Sequence, residues 1–474
     1  MAVNNNNNNN NNNFTGQGVL LFVDVLLVAT TNWIFWLIVS KLISASEIGQ
    51  ASIVYSLVLL FSTLSQLGLE YPLLKNSVSH GSSILVSSLA IEAVITIILI
   101  PVLYYVGSTD AYHWSASSFV WISMSLLVFM ALAFVTRFAL LGISNARGIL
   151  LRDVIGVASK FILGLGLISI GFGASGILLS FLFFNVVVTI LGLILVLKRF
   201  HITRYADIQW HSQTFLQLVK EALLNAPAKF SRFGMLIVSL SIVLLGIFGI
   251  SDAEIGIFYM TTMISLVFGS LASSISYSVI PASSLAKSDL SDASLRIGLG
   301  LTSPLISALA VVPAYVLSML GPEYTSGGSA LFILSISILP STIVTNSISK
   351  FNHSNEFRKI IVMGCIQFAA FLIPFMILVP IYGILGAAVS ILLSYLTSSI
   401  PSLFWSNGYA RRYVVNSTIA TFAGILLGYA ILWGASTIHP VMAIFASVTL
   451  TTVVTLLFKS TTPQEIKEIL KSIR

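Results

Sequence analysis

Residues 174–197 read ASGILLSFLFFNVVVTILGLILVL, and two basic residues, Lys198 and Arg199, follow directly. The stretch contains no charged side chain, and roughly 20 apolar residues are enough for an α-helix to span a bilayer. Similar runs recur along the 474-residue chain, which is 57% hydrophobic and only 8% charged. Soluble domains carry roughly 25% charged residues, and the short alternating strands of membrane β-barrels are missing from the pattern. We therefore predict an all-α polytopic membrane protein.

The apolar runs predict fourteen transmembrane helices. Their approximate ranges are 16–40, 50–69, 83–107, 115–137, 149–171, 174–197, 221–248, 254–280, 296–320, 328–349, 359–380, 383–405, 414–434 and 440–458.

The basic residues predict how these spans are oriented. Of the 23 lysines and arginines, nineteen lie in every second gap or on the C-terminal tail, and Lys41 alone lies in the remaining gaps. Cytoplasmic loops of membrane proteins are enriched in Lys and Arg, so both termini are predicted to be cytoplasmic. Arg137 and Arg147 are interpreted as loop charges of this kind. The positive net charge thus indicates orientation and contact with the lipid bilayer, and nucleic acid is not expected as a partner.

Two pairs of short motifs indicate an internal duplication. Ser44, Glu47, Ile48 and Gly49 recur as Ser251, Glu254, Ile255 and Gly256, and Gly173, Gly176 and Ser180 recur as Gly383, Gly386 and Ser390. The two offsets are 207 and 210 residues. Because each copy starts on the same side and has six spans, we predict two six-helix lobes in parallel orientation, followed by two additional C-terminal helices.

This pattern divides the chain into six regions. A disordered asparagine-rich tail occupies residues 1–15, the N-lobe 16–197, and an interlobe linker, predicted as a cytoplasmic amphipathic helix, 198–220. The C-lobe occupies 221–405, the additional helices 406–458, and a cytoplasmic amphipathic tail 459–474.

Three basic residues lie inside the spans, where a charge costs about 2.5–3.5 kcal/mol and usually faces protein or a water-filled cavity. These are Lys160, Lys229 and Arg232. Asn225, Lys229 and Arg232 share one face of a single predicted helix, at positions i, i+4 and i+7. Lys160 lies near the centre of its span, on a face shared with Asp153. The alternatives are snorkelling of Lys229 and Arg232 and an ion pair of Lys160 with Asp24 or Glu92. A cavity with several cations favours an anionic ligand such as phosphate or pyrophosphate.

Acidic residues supply a second group of candidates. Asp24 in the first span is followed near its face by Asn32, and the repeat offset places Asp24 opposite Ser231, beside Arg232. Glu92 in the third span has either a functional role or a structural one as a protonated carboxyl group. Glu70, Arg152 and Asp153 are predicted at the rim of the cavity.

Enzymatic chemistry is not indicated. The run Gly171-Phe-Gly-Ala-Ser-Gly176 matches a dinucleotide fingerprint, but it connects two apolar helices and no strand precedes it. The six histidines lack metal-ligand spacing, and no cofactor is expected.

In the order of its motifs the chain resembles the polysaccharide-flippase branch of the multidrug/oligosaccharidyl-lipid/polysaccharide exporter superfamily. The resemblance covers about residues 15–458. It rests on Ser44-Ala-Ser-Glu-Ile-Gly49, Leu67-Gly-Leu-Glu-Tyr-Pro-Leu-Leu-Lys75, Arg152, the Gly173–Gly176 turn, Glu254-Ile-Gly-Ile-Phe-Tyr259, Ile280-Pro281 and Gly321-Pro-Glu-Tyr324.

The resemblance implies a V-shaped bundle that moves a polyprenyl-(pyro)phosphate-linked oligosaccharide across a prokaryotic plasma membrane by alternating access. It implies headgroup contacts by Lys160, Lys229, Arg232 and Asn225, and coupling or gating by Asp24 and Glu92. Implied partners are the lipid-linked oligosaccharide, a proton or sodium ion, and glycosyltransferases or a polymerase. Lipid II flippases carry an arginine beside the acid of the first span, whereas this chain has Val23, Asp24 and Val25, which favours a glycan-repeat or glycosylation lipid as substrate. An ion-coupled antiporter for small solutes and a scaffold protein with purely structural ion pairs are the two alternatives.

Overall fold

The structure is a computed structural model that describes residues 3–109, 117–200, 211–230, 234–286, 291–354, 356–405, 408–434 and 439–457. The described residues form helices joined by short turns, with no strand among them. They fall into two compact units, comprising Met1–Phe230 with Ile242–Ala253, and Ser231–Ser241 with Glu254–Arg474.

Unit 1 contains eight α-helices and the second half of a ninth, α9 (Gly234–Ile247). The eight are α1 (Val3–Leu42), α2 (Ala45–Ser65), α3 (Glu70–Gly107), α4 (Ser117–Gly142), α5 (Ala146–Ser159), α6 (Leu165–Leu167), α7 (Gly173–Arg199) and α8 (Ser212–Phe230). Two π-helical segments, Lys160–Gly164 and Ile168–Phe172, flank α6. One apolar core joins α4, α5 and α7 around Val135, Ile149 and Val196.

Unit 2 contains the first half of α9 and eight further α-helices. These are α10 (Asp252–Ala286, of which Asp252 and Ala253 belong to unit 1), α11 (Ser291–Val311), α12 (Pro313–Ser318), α13 (Gly328–His353), α14 (Phe357–Tyr382), α15 (Ile384–Phe404), α16 (Gly408–Gly434) and α17 (Pro440–Leu457). A short 3₁₀ turn, Pro322–Gly327, precedes α13. The two C-terminal helices pack on α11 through Val311 and Ala443.

Residues 146–199 form a helical hairpin. The backbone reverses at Gly171 (φ 93°) and Gly173 (φ 49°), a left-handed region that glycine enters without steric cost. A Cβ at Gly164 would clash with Ser180, and a Cβ at Gly156 would lie 2.5 Å from Val188 Cγ1. From the first pair to the second, the residue number falls by eight on one arm and rises by eight on the other. The two arms therefore run antiparallel and keep one register.

The corresponding hairpin of unit 2 reverses in the same way. Gly383 joins α14 to α15 with φ 55° and ψ −131°, and Gly173 has φ 49° and ψ −129°. These glycines are 210 positions apart, and α14 and α15 pack against each other as α5 and α7 do. The shared turn supports the predicted duplication.

Twelve described segments are long and apolar enough to cross a membrane, so the prediction of a multi-pass membrane protein is confirmed. One of the twelve is the hairpin of residues 146–199, whose antiparallel arms were predicted as two spans. The helix Leu236–Ile247 is apolar but shorter. The number fourteen and the side on which the termini lie stay predictions.

Several helices differ from the predicted boundaries. The helix α3 begins at Glu70, well before the predicted start at residue 83. Span 9, predicted as 296–320, is broken between α11 and α12, because Pro313 disfavours the helical conformation of Val312 (φ −133°) before it. The helix α8 runs through the predicted boundary at residue 220, because Leu218 and Ala222 bury the same face against α3. The helix α4 extends five residues beyond Arg137, which places that side chain inside the helix instead of in a loop.

The N-terminal tract also differs from its prediction. The helix α1 begins at Val3 and continues through the ten asparagines, for which composition predicts disorder. The predicted amphipathic tail, residues 459–474, lies outside the described residues.

Candidate functional site

Four charged side chains from three helices of unit 1 form an ion cluster: Asp24 of α1, Arg137 of α4, and Arg152 and Asp153 of α5. Arg137 Nη2 donates to Asp24 Oδ2 over 2.7 Å, and Arg137 Nη1 donates to Asp153 Oδ2. Arg152 Nε donates to the other carboxylate oxygen of Asp153 over 2.8 Å. One guanidinium group therefore bridges two carboxylates on different helices.

Arg152, the more buried arginine of the cluster, is bonded to α4 and covered by α7. Arg152 Nη1 donates to Thr136 Oγ1 over 3.0 Å and lies 3.4 Å from the carbonyl oxygen of Ala133. A Cβ at Gly192 would lie 2.6 Å from Thr136 Oγ1 and 3.1 Å from Arg152 Nη1. Glycine at this position lets α7 approach closely enough to cover the pair.

Lys160 lies in a separate group, the lysine cage, which consists of Lys160, Asn32, Phe35, Phe161 and Phe181. The ammonium group donates to Asn32 Oδ1 over 2.8 Å. It lies 4.3 Å from the ring centroid of Phe35 and 4.9 Å from that of Phe181. Aromatic rings attract a desolvated cation by about 2 kcal/mol, so the cage stabilises a lysine that is only 4% exposed.

The backbone contributes to the position of the cage. Lys160 is the first residue of a π-helical segment, and single-turn π segments inside α-helices are frequent at functional sites. The rings are themselves packed, since Tyr55 stacks on Phe181 with centroids 4.3 Å apart. The sequence did not predict that Lys160 would be buried by aromatic rings and an amide instead of by carboxylates.

The ion cluster and the lysine cage lie along one helix contact. Asp24 precedes Asn32 by eight residues on α1, and Asp153 of α5 precedes Lys160, in the π-helical segment that continues α5, by seven residues. Both helices contribute to both groups in the same order, so α1 and α5 run parallel, with the groups about 11 Å apart along the axis.

The remaining predicted residues are only partly described. Glu92 of α3 is fully buried and accepts a hydrogen bond from Ser65 Oγ over 2.6 Å. Glu70 lies in the first turn of α3 and is half-buried. Asn225 and Lys229 belong to α8 but their side chains lie outside the described residues, as does all of Arg232. The single helix face shared by these three therefore stays a prediction.

Two predictions about these charges are wrong. Arg137 is not a loop charge, because it joins α4 to α1 and α5. The alternative ion pair of Lys160 with Asp24 or Glu92 is not formed, since Lys160 donates to Asn32 while Asp24 accepts from Arg137. Arg152 and Asp153 are 3% and 1% exposed, and their position at the rim of the cavity stays a prediction.

The ion cluster has a chemistry that its residue types define. Arginine stays charged at all physiological pH values, so a carboxylate is the member that can accept a proton. Two carboxylates and two guanidinium groups balance, and Lys160 adds a further positive charge nearby. Among the described residues no three His, Cys, Asp or Glu side chains are grouped as a metal site.

No family model and no curated protein sequence matches the chain. Solved structures do. The lipid II flippase MurJ in an inward-closed conformation has a TM-score of 0.69 and 15% identity, covering 95% of this chain and 99% of that one.

Two further solved structures are transporters. An outward-facing multidrug resistance MATE transporter has a TM-score of 0.57 and 15% identity over 86% of this chain and 96% of that one. A transporter from Pyrococcus furiosus, described as having a binding pocket of reversed polarity, has a TM-score of 0.52 and 14% identity over 86% and 95%. All three are members of, or share the fold of, the MOP (multidrug/oligosaccharidyl-lipid/polysaccharide) superfamily. The predicted resemblance is thus confirmed at the level of the fold.

Proposed function

We propose that this protein is a flippase that moves a polyprenyl-(pyro)phosphate-linked oligosaccharide across the plasma membrane of a prokaryote by alternating access. Its product would serve the assembly of surface polysaccharide or glycoprotein glycans. Flippases and multidrug transporters share this fold, so the fold alone does not identify the substrate. The proposal assigns one substrate class to this chain.

The observation that carries the proposal is the concentration of basic side chains within the helices of unit 1. Arg137, Arg152 and Lys160 lie within helices of largely apolar sequence. Carboxylates balance the two arginines, whereas Lys160 has an amide oxygen and aromatic rings as its partners. Burying a cation is costly, and guanidinium and ammonium groups bind phosphate through charge-assisted hydrogen bonds. An anionic headgroup would supply a counter-charge for Lys160 and a ligand for the partly exposed Arg137.

In the proposed cycle Lys160 exchanges Asn32 Oδ1 and the rings of its cage for a phosphate oxygen of the headgroup. Lys229, Arg232 and Asn225 are proposed as further headgroup contacts. Asp24 and Glu92 are proposed for coupling or gating, with a proton or sodium ion as the driving species. Glu70, Arg152 and Asp153 are proposed to line the rim of the cavity. Glycosyltransferases or a polymerase would supply and use the lipid-linked glycan.

The test is export of glycan in a strain that lacks the gene and carries variants of it. Lys160→Ala and Arg232→Ala are expected to abolish surface glycan while protein level and membrane insertion stay normal. Arg147→Gln is the matched control, because Arg147 is an exposed cation outside the proposed site. Normal surface glycan in both Ala variants would contradict the roles assigned to them.

A second candidate is an ion-coupled antiporter for small solutes. Asp24, a fully buried acid in α1, favours it, and so does the fold shared with MATE transporters. The deletion strain separates the two functions: loss of surface glycan supports the flippase, whereas unchanged glycan with raised drug sensitivity supports the antiporter.

A further inference from the structure

Arg137 differs from the other members of the ion cluster in its exposure. Its side chain is 31% exposed, whereas those of Asp24, Arg152 and Asp153 are 0%, 3% and 1% exposed. Guanidinium groups present five N–H donors, and the two ion pairs of Arg137 with Asp24 and Asp153 use one donor on each terminal nitrogen. A ligand can therefore reach this cation without dismantling the rest of the cluster.

Arg137 lies on the face of α4 that carries the ion cluster. Trp121 is 70% exposed and precedes Arg137 by 16 residues, so the two side chains lie about 160° apart around the helix. The partly exposed guanidinium group of Arg137 is therefore on the side of α4 that contacts Asp24 of α1 and Asp153 of α5.

The pairing of Asp24 makes the charge of Arg137 adjustable. Asp24 Oδ2 accepts from Arg137 alone among the described residues, and Asp24 Oδ1 is buried with no hydrogen-bond donor among them. A proton bound at Oδ1 would remove the negative charge that Arg137 balances. Asp153, which both arginines already contact, would then be the only carboxylate that balances them, and the cluster would carry one net positive charge.

We propose that Arg137 is a headgroup-binding residue and that its binding of an anion is coupled to protonation of Asp24. The inference rests on the proposed function, of which it specifies the site and the sign of coupling. An anion on Arg137 repels the Asp24 carboxylate and favours its protonated form. By linkage, a proton on Asp24 strengthens anion binding by the same factor. Proton and anionic headgroup therefore bind together and do not compete.

The charged groups around Asp24 are consistent with cooperative binding of the proton and the anion. Arg137 of α4 contacts it directly; Asp153 and Arg152 of α5 complete the cluster, and Lys160 lies about two helical turns away along α5. Lys160 already has Asn32 and its rings as partners. Protonation of Asp24 therefore removes a counter-charge from Arg137 and not from Lys160.

The experiment measures binding of farnesyl pyrophosphate to the purified full-length chain in detergent by calorimetry. Titrations at pH 5.5 and 8, each in two buffers of different ionisation enthalpy, give affinity and proton uptake. Wild type is expected to bind about tenfold more tightly at pH 5.5 and, because a tenfold coupling to a single carboxyl group limits the uptake, to take up at most about half a proton more per ligand than Asp24→Asn. Since the pyrophosphate also titrates, the difference between wild type and Asp24→Asn isolates the protein's proton.

Three further variants complete the design. Arg137→Gln is expected to lose binding at least tenfold at both pH values, while Arg147→Gln binds as wild type does. Because Arg137→Gln leaves Asp24 buried without its partner, Asp24→Asn with Arg137→Gln removes both charges and keeps the test available if the single variant unfolds. Binding that survives in the double variant, or proton uptake equal in wild type and Asp24→Asn, overturns this inference alone. A wild type that binds no farnesyl pyrophosphate overturns the proposed function and the inference with it.

Discussion

At the scale of single residues, Lys160 shows how a cation can be kept inside a membrane protein without a carboxylate. Asn32 Oδ1 accepts its hydrogen bond and two phenylalanine rings lie within 5 Å of its ammonium group. Such a site depends on all of its members, since a buried donor that loses its acceptor costs about 1–3 kcal/mol.

Asn32→Ala is therefore expected to lower the free energy of unfolding by about 1–3 kcal/mol. Thermal unfolding in detergent, followed by loss of the monodisperse peak, measures the change. Ser169→Ala is the control, because the Ser169 hydroxyl is exposed and bonds only within its own helix. Replacing both partners, as Lys160→Met with Asn32→Leu, should restore stability. A double variant less stable than Asn32→Ala would count against the cage.

The sequence predicted some members of the site and missed others for identifiable reasons. Asp24, Asp153 and Lys160 were predicted because charges inside apolar runs are conspicuous. Arg137 was missed because the hydropathy boundary fell on it, although α4 continues for five residues, about 7.5 Å. Phe35 and Phe181 could not be predicted as site residues, because nothing in the sequence distinguishes them from the other apolar residues of their helices.

At the scale of elements, the hairpin of α5 and α7 depends on small residues at its contact. A Cβ at Gly164 would clash with Ser180 on the other arm, whereas a Cβ at Gly166, half a turn away, would meet nothing within 4 Å. The two glycines are equal in helix propensity, so only their surroundings distinguish them.

Gly164→Leu is expected to destabilise the protein by about 1–3 kcal/mol, the usual cost of overpacking. Gly166→Leu is expected to stay within about 0.5 kcal/mol of wild type or to be slightly more stable, as surface substitutions generally are. Thermal unfolding of both variants under identical detergent conditions checks the pair. Equal losses of stability would show that the two arms do not pack as described.

Element boundaries were less predictable than element type. Composition was sufficient to predict helices, but the break at Val312–Pro313 required the local effect of proline on its neighbour. The continuity of α8 across residue 220 was not predictable, because it depends on packing of Leu218 and Ala222 against α3. Such tertiary contacts produce no periodic sequence pattern by which a linker helix could be distinguished from a membrane span.

At the scale of the whole molecule, the duplication predicts similar losses of stability at equivalent positions of the two units. Gly173 and Gly383 share a left-handed backbone at positions 210 apart. A Cβ in that region costs roughly 1–2 kcal/mol. Gly173→Ala and Gly383→Ala should each lower the free energy of unfolding by about that amount, with a larger loss at Gly173, where a Cβ would also clash with Glu47.

Gly166→Ala and Gly269→Ala are the controls for this comparison, one in each unit, because neither Cβ would meet an atom within 4 Å. Both are expected to be neutral or mildly stabilising, as alanine is favoured over glycine in helices. A neutral Gly383→Ala would contradict the equivalence of the two turns.

The topology of the entire chain can be tested with single cysteines, since Cys365 is the only native one. In a Cys365→Ser background, Ser46→Cys is predicted outside and Arg147→Cys inside, because nineteen of the 23 basic residues lie on the predicted cytoplasmic side. A membrane-impermeant maleimide should label Ser46→Cys in intact cells and Arg147→Cys only after permeabilisation. Labelling of Arg147→Cys in intact cells would contradict the predicted orientation and place both termini outside the cell.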